Sequence, residues 1–257
     1  MTGTVFLAGA TGVIGRRLIP LLQKKGWTVV GGTRSPHKVP DLEKMGVIPA
    51  VGDAFCASQM DEIIALHRPT IVIHQLTDLP DGLDPQKLAA ARVRNSRLRI
   101  MGTHNLVAAA VKYGVERFIA QSVAFSYARG IKPYLESCPL DPEASGIRSL
   151  EQQVLDAPFN GIVLRYGHLY GPGTGFDSES EPASIHVDAA ASATVAAADL
   201  GRRSVYNIAE DDGEVSIEKA CRELNWQPQP RLAKEPRQNN ELSTRRRRNR
   251  TELYVAA

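Results

Sequence analysis

Val5-Phe6-Leu7-Ala8-Gly9-Ala10-Thr11-Gly12-Val13-Ile14-Gly15-Arg16-Arg17-Leu18-Ile19 is the stretch that decides the fold. Four apolar residues, a glycine-punctuated turn and an amphipathic run read as a buried strand, a tight turn and a helix. That is the opening of a doubly wound α/β sheet with a dinucleotide site on the turn. Each glycine has its own task. Gly9 permits the tight turn, Gly12 lets backbone approach a pyrophosphate, and Gly15 lets the helix pack close to the strand. The phosphates then rest on free N–H groups at the positive end of the helix, with Thr11, Val13 and Ile14 in the same cradle. A strand–turn–helix that binds nothing is the alternative.

Outward from this stretch the chain alternates strands and helices. The first helix is expected over about Gly12–Lys25, with Leu18, Leu21 and Leu22 inward and Pro20 kinking it or costing an interior hydrogen bond. A second strand, Trp27–Thr33, ends in Thr33-Arg34-Ser35, with His37 and Lys38 close behind. An NAD site places an acid near this point to hold the ribose 2′-OH, but there is no Asp or Glu between Gly15 and Asp41. A hydroxyl, a guanidinium and an ammonium suit a 2′-phosphate, so NADP is expected ahead of NAD. The competing reading makes Arg34 and Lys38 solvated loop charges.

Strand three, Ile48–Val51, leads to Gly52-Asp53-Ala54. Asp53 is placed to accept from an adenine amino group, or else to cap the next helix. Thr70–His74 is a fourth short strand running into Gln75-Leu76-Thr77, which should pass under the cofactor, while His74 itself reads as a strand residue rather than a catalyst. Gln86–Tyr113 reads as one long helix, with Leu88, Val93, Leu98, Met101, Leu106 and Val107 on its apolar face. Val115–Gln121 is the fifth strand, ending at Ser122, and Gly161–Arg165 is the sixth, after a helix at about Ser149–Leu155. Gln121, Tyr166 and Leu169 complete the expected cofactor contacts. An alanine-rich helix, Ala189–Leu200, a strand, Val205–Ile208, and a helix, Ser216–Leu224, follow.

Composition bounds the rest. The chain has 257 residues, 43% of them hydrophobic, with no apolar run of membrane-spanning length and no basic segment ahead of the first strand. Cys56, Cys138 and Cys221 have no metal or redox spacing and are expected as reduced thiols of a cytoplasmic protein; no metal site is expected. Eight Lys/Arg against three Asp/Glu lie between Gln227 and Ala257, so a whole-chain charge of +3 leaves the body at −2. The basic character belongs to that tail. Its Arg245–Arg248 run is either an anionic-surface patch or, more simply, solvated and disordered, and the body gives no reason to expect nucleic acid.

Taken together, Gly9–Gly15, Gly52-Asp53, Gly102-Thr103-His104-Asn105-Leu106, Arg117–Ser122, Leu164–Gly173, His186-Val187-Asp188 and Tyr206-Asn207-Ile208 make the chain resemble the extended short-chain dehydrogenase/reductase superfamily, in its NAD-dependent epimerase/dehydratase branch. The resemblance implies a Rossmann domain over residues 1–170 and a small, interleaved substrate subdomain over 171–226. The basic tail, 227–257, lies beyond them. It also implies NAD(P) and redox chemistry at a carbonyl or hydroxyl, often on nucleotide sugars.

The departures from that resemblance narrow it. Family enzymes pair a strand-five Ser/Thr with Tyr-x-x-x-Lys, and no Tyr-x-x-x-Lys occurs in this chain. If Glu151 takes the glutamate that commonly follows the family's lysine, Tyr and Lys fall on Glu143 and Ile147. Ser122 is then the expected holder of the acceptor oxygen, with Tyr127 or water as proton donor and Tyr134 as a weaker substitute. His168 stands where sugar-nucleotide enzymes often have a substrate-binding Asn, and the Gly173–Ile185 segment is short. The expectation is an NADP-dependent oxidoreductase of atypical mechanism acting on a small carbonyl or hydroxyl substrate. A non-catalytic NADP(H) sensor is the alternative, and a nucleotide-sugar epimerase or dehydratase the third reading. A homodimer through the Gln86–Tyr113 and Ser149–Leu155 helices is left open.

Overall fold

A computed structural model of the chain describes residues 3–80, 85–179 and 181–229. The tail expected to be mobile lies largely outside the described residues.

Seven parallel strands form one sheet, in the order β3-β2-β1-β4-β5-β6-β9. They are β1 (Thr4–Ala8), β2 (Thr28–Thr33), β3 (Ile48–Val51), β4 (Ile71–His74), β5 (Arg117–Val123), β6 (Asn160–Tyr166) and β9 (Ser204–Ile208). β7 (His168–Tyr170) and β8 (Ser184–His186) pair separately, also in parallel. The helices are α1 (Val13–Lys24), α2 (Val39–Lys44), α3 (Ala57–His67), α4 (Pro85–Arg97), α5 (Thr103–Lys112), α6 (Ser145–Asp156), α7 (Val187–Leu200) and α8 (Glu218–Leu224).

Why β1 is apolar throughout follows from the layers. Val5 and Leu7 enter the core shared with α1 and α7, while Phe6 and Ala8 enter the one shared with α3 and α5. A strand covered on both faces cannot alternate polar with apolar. Winding reverses between β1 and β4, and the crevice at a reversal of this kind is where open α/β sheets bind ligands.

Two local expectations are corrected. In α1, which continues through Pro20 without that residue's N–H donor, Ile19 rather than Leu21 joins the fully buried face. The long helix is not one α-helix. A π-helical segment, Leu98–Gly102, separates α4 from α5. Val93 (72% exposed) lies off the α4 face that buries Leu88, Ala91 and Leu98, and Met101 (42%) lies within the π segment outside the core, while Leu106 and Ala110 are buried in α5.

Candidate functional site

A cavity of about 1170 Å³ opens along the C-terminal ends of the strands. It exceeds the roughly 300–1,000 Å³ typical of a single small-molecule site, leaving room for a dinucleotide and a second ligand. Gly9, Thr11, Gly12, Val13, Ile14, Gly15, Thr33, Arg34, Ser35, Lys38, Asp53, Ala54, Gln75, Leu76, Thr77, Gln121, Tyr166 and Leu169 all line it.

The glycine turn has the shape of an anion cradle. Gly9 adopts φ +91°, and a Cβ there would lie 2.8 Å from the Gln75 carbonyl oxygen. A Cβ on Gly15 would lie 2.2 Å from the Gly9 carbonyl, so helix and turn meet as backbone on backbone. Gly12 is the N-cap of α1 and supplies no side-chain cap, and no acid occupies the first helical turn. The first N–H groups of α1 therefore face the cleft without a side-chain acceptor of their own. These features fit a pyrophosphate, with Gly12 meeting it as bare backbone.

At the far end of this half, Thr33 Oγ1 accepts from Ser35 N–H (3.2 Å). Arg34 and Arg94 both donate to Asp78, at 3.2 and 3.3 Å. Asp53 Oδ1 accepts from Phe55 N–H (2.9 Å), and the cap of α3 is Cys56 rather than Asp53.

Gln75 joins the two halves of the cleft. Its Nε2 donates to the Tyr166 hydroxyl (3.2 Å), which is also bonded to Thr194. Thr194 in turn donates to the Ala190 carbonyl (3.1 Å). The chain fixes the Gln75 amide and leaves its buried Oε1 without a partner among the described residues. Burial pushes the Tyr166 phenol up to about 12, so it stays protonated. His74 is equally fixed. Its Nδ1 accepts from Leu76 N–H and its Nε2 pairs with the Thr103 hydroxyl. Burial first, then the charge of Arg99, lowers its pKa to about 4, so the ring is neutral and structural.

Both expected catalytic residues are misplaced. Ser122 and Tyr127 do not line the cavity. Side chains alternate along a strand, so with Gln121 and Val123 facing the cleft, Ser122 faces away. There it donates to Glu151 Oε1 at 2.6 Å, fully buried. The Tyr127 hydroxyl donates to Asn207 Oδ1 (2.6 Å) and accepts from Arg165 (2.8 Å), and its ring stacks on Tyr134 at 5.0 Å. Burial raises the Tyr127 pKa, opposite to what an acid/base tyrosine needs. The groups that do face the cleft here are Val123, Phe125, Glu143, Ile147, His168 and Arg99. Strand parity was the available signal: Gln121 and Ser122 could not both face one ligand. Phe125 and His168 stack face to face at 3.8 Å, which gives this half an aromatic wall.

Crevice, glycine cradle and strand order together define a nicotinamide-dinucleotide protein of the Rossmann type. The chain belongs to the NAD dependent epimerase/dehydratase family, whose model matches residues 5–199. It is 33% identical over 237 residues to a 3-diazoavenalumate denitrifying reductase from a Streptomyces species, covering 81% of this chain and 76% of that one. A UDP-glucose 4-epimerase of Rhizobium meliloti is 24% identical over 218 residues, 79% of this chain and 62% of the enzyme. Among solved structures, UDP-glucose 4-epimerase from Thermotoga maritima with UDP-glucose has a TM-score of 0.71 at 20% identity, covering 88% and 94% of the two chains. The Thermus thermophilus enzyme with NAD has a TM-score of 0.65 at 19% identity, covering 88% and 84%. No helix among the described residues is long and apolar enough to cross a membrane.

Proposed function

We propose that the protein is an NADPH-dependent reductase that works by hydride delivery, with neither Ser122 nor Tyr127 serving as an acid at the acceptor. The carrying observation is the lining above β4, β5 and β6. Val123, Ile147 and Phe125 stand there beside Glu143, His168 and Arg99, and neither Ser122 nor Tyr127 reaches the cavity. When bound, the reduced nicotinamide supplies the hydride. Gly9–Gly15 would hold the pyrophosphate, and Gln75, fixed through Tyr166, would present its free Oε1 to the ribose side. Thr33, Arg34, Ser35 and Lys38 supply donors and positive charge for a 2′-phosphate. Val123, Ile147 and the Phe125–His168 wall exclude water and orient the acceptor.

This arrangement suits an acceptor whose reduction needs no proton on oxygen. The reductase that is 33% identical is named for denitrifying a diazo acid. At an aryl diazonium carbon, hydride forms a C–H bond while the C–N bond breaks. Dinitrogen leaves with the bonding pair, and no proton is taken up. UDP-sugar epimerisation fits less well, since it removes and returns a proton at a sugar hydroxyl. Among the described residues, Glu143 and Ser145 are the polar side chains at the α6 edge of this cavity.

The test is isotopic. With NADPH carrying deuterium at C4 and a benzenediazonium salt, the expected product is an arene with one deuterium at the former diazo carbon, together with dinitrogen. Heat-denatured protein serves as the blank. Deuterium arriving from D2O instead overturns the mechanism. NADPH oxidation with aldehydes or ketones alone returns the protein to carbonyl reduction, and tight NADPH binding with no acceptor reduced favours the sensor reading.

A further inference from the structure

The cofactor reading gives Arg99 no task. It sits on the π-helical segment Leu98–Gly102 and lines the cavity. Its surroundings place it over the second half of the crevice: the charge of Arg99 acts on His74 at the end of β4, and that of Glu151 on α6 acts on Arg99. The pyrophosphate cradle lies at the end of β1.

Neighbouring guanidiniums are all satisfied. Arg17 is paired with Asp188, Arg34 and Arg94 share Asp78, and Arg165 grips Glu151. Arg99 has no hydrogen bond or ion pair among the described residues. Glu151 attracts it through space, but both carboxylate oxygens of Glu151 are already bonded by Arg165 and Ser122. Burial lowers the Arg99 pKa to about 10, which still leaves it charged at neutral pH. A desolvated cation without an acceptor is costly, and a ligand carboxylate supplies two acceptors in the geometry a guanidinium prefers. The Phe125–His168 stack supplies a flat aromatic wall in the same cavity.

We infer that Arg99 anchors a carboxylate of the substrate, and that the substrates are aromatic carboxylic acids. This deepens the reductase reading by giving its substrate class, and rests on it for the cofactor's position.

The test uses the full chain loaded with NADP+ and titrated calorimetrically with cinnamate, 4-hydroxycinnamate and the uncharged cinnamamide. The acids are expected to bind and the amide not. Arg99→Met should weaken cinnamate by about 30-fold or more while NADP+ affinity and melting temperature stay unchanged. Arg99→Lys should restore part of the loss. Equal binding of acid and amide, undiminished acid binding by Arg99→Met, or no acid binding at all overturns the inference. So does a parallel loss of NADP+ affinity, which would make Arg99 a cofactor contact. Binding and hydride transfer are read separately: an acid-binding protein that reduces no diazonium sinks the diazonium mechanism and leaves the anchor standing.

Discussion

Arg165 holds Glu151 by two parallel hydrogen bonds, Nε to Oε1 at 2.9 Å and Nη2 to Oε2 at 2.6 Å, with both side chains at least 93% buried. Ser122 adds a third bond to the same carboxylate. The cluster ties β5, β6 and α6 together behind the cleft. Glu151→Ala would strand a buried guanidinium and is expected to cost about 3–5 kcal/mol. Ser122→Ala removes one charged hydrogen bond, at about 1–3 kcal/mol. Urea unfolding measures both. Because Ser122 faces away from the cavity, NADPH affinity should survive its replacement. A Ser122→Ala variant that is fully stable but has lost cofactor binding would contradict this placement.

The proposed preference for NADPH is tested at Arg34. Arg34→Ala should weaken NADPH by roughly 10- to 100-fold and leave NADH unchanged, as expected for losing a charged contact to a 2′-phosphate. Nicotinamide fluorescence titration with both cofactors decides it. An equal loss for both would move Arg34 to the pyrophosphate or to general scaffolding.

Gly15 is a steric requirement. Gly15→Ala sets a methyl 2.2 Å from the Gly9 carbonyl oxygen, so turn and helix must part. The expected cost is about 1–3 kcal/mol in stability, accompanied by loss of NADPH binding. A melting temperature equal to that of the parent would show that the turn yields more easily than its geometry indicates.

His74 predicts an acid-labile fold. Its pKa lies near 4 when folded and 6.5 when unfolded, so the unfolded chain binds the proton more readily. The stability tied to the neutral ring is complete above pH 6.5 and is lost as pH falls toward 4. Between pH 7 and pH 5 the loss is about 2 kcal/mol. His74→Gln should flatten that part of the pH–stability profile, and an unchanged slope would assign the acid sensitivity to other groups.

How far the sequence could be read depended on which physics each residue obeys. The β1–turn–α1 unit was legible because buried parallel strands, a turn and a capless helix start each leave a local signature in Val5–Ile19. Thr33, Asp53 and Gln75 could be placed at the cavity because strand ends of one sheet must face one crevice. Ser122 and Tyr127 were misjudged because their roles were carried over by alignment, whereas side-chain direction follows strand parity and the pull of Glu151 and Arg165. Those two partners lie 29 and 38 residues away in sequence. Arg99 went unseen because nothing in local periodicity announces a π-turn. Val93, counted with the apolar face, is off the helical face that Leu88, Ala91 and Leu98 bury, and Met101 falls within the π segment.

The lining of the cleft also bears on how quickly ligands arrive. Seven Lys or Arg side chains and three carboxylates line it, while the chain up to Trp226 carries a net charge of −2. Up to Trp226 the positive charge is thus concentrated at one opening, toward which anions are drawn. Encounter with a polyanionic dinucleotide is guided over distances comparable to the Debye length, about 8 Å at physiological ionic strength. Added salt should slow capture far more than release, so the dissociation constant would rise with ionic strength through its association rate.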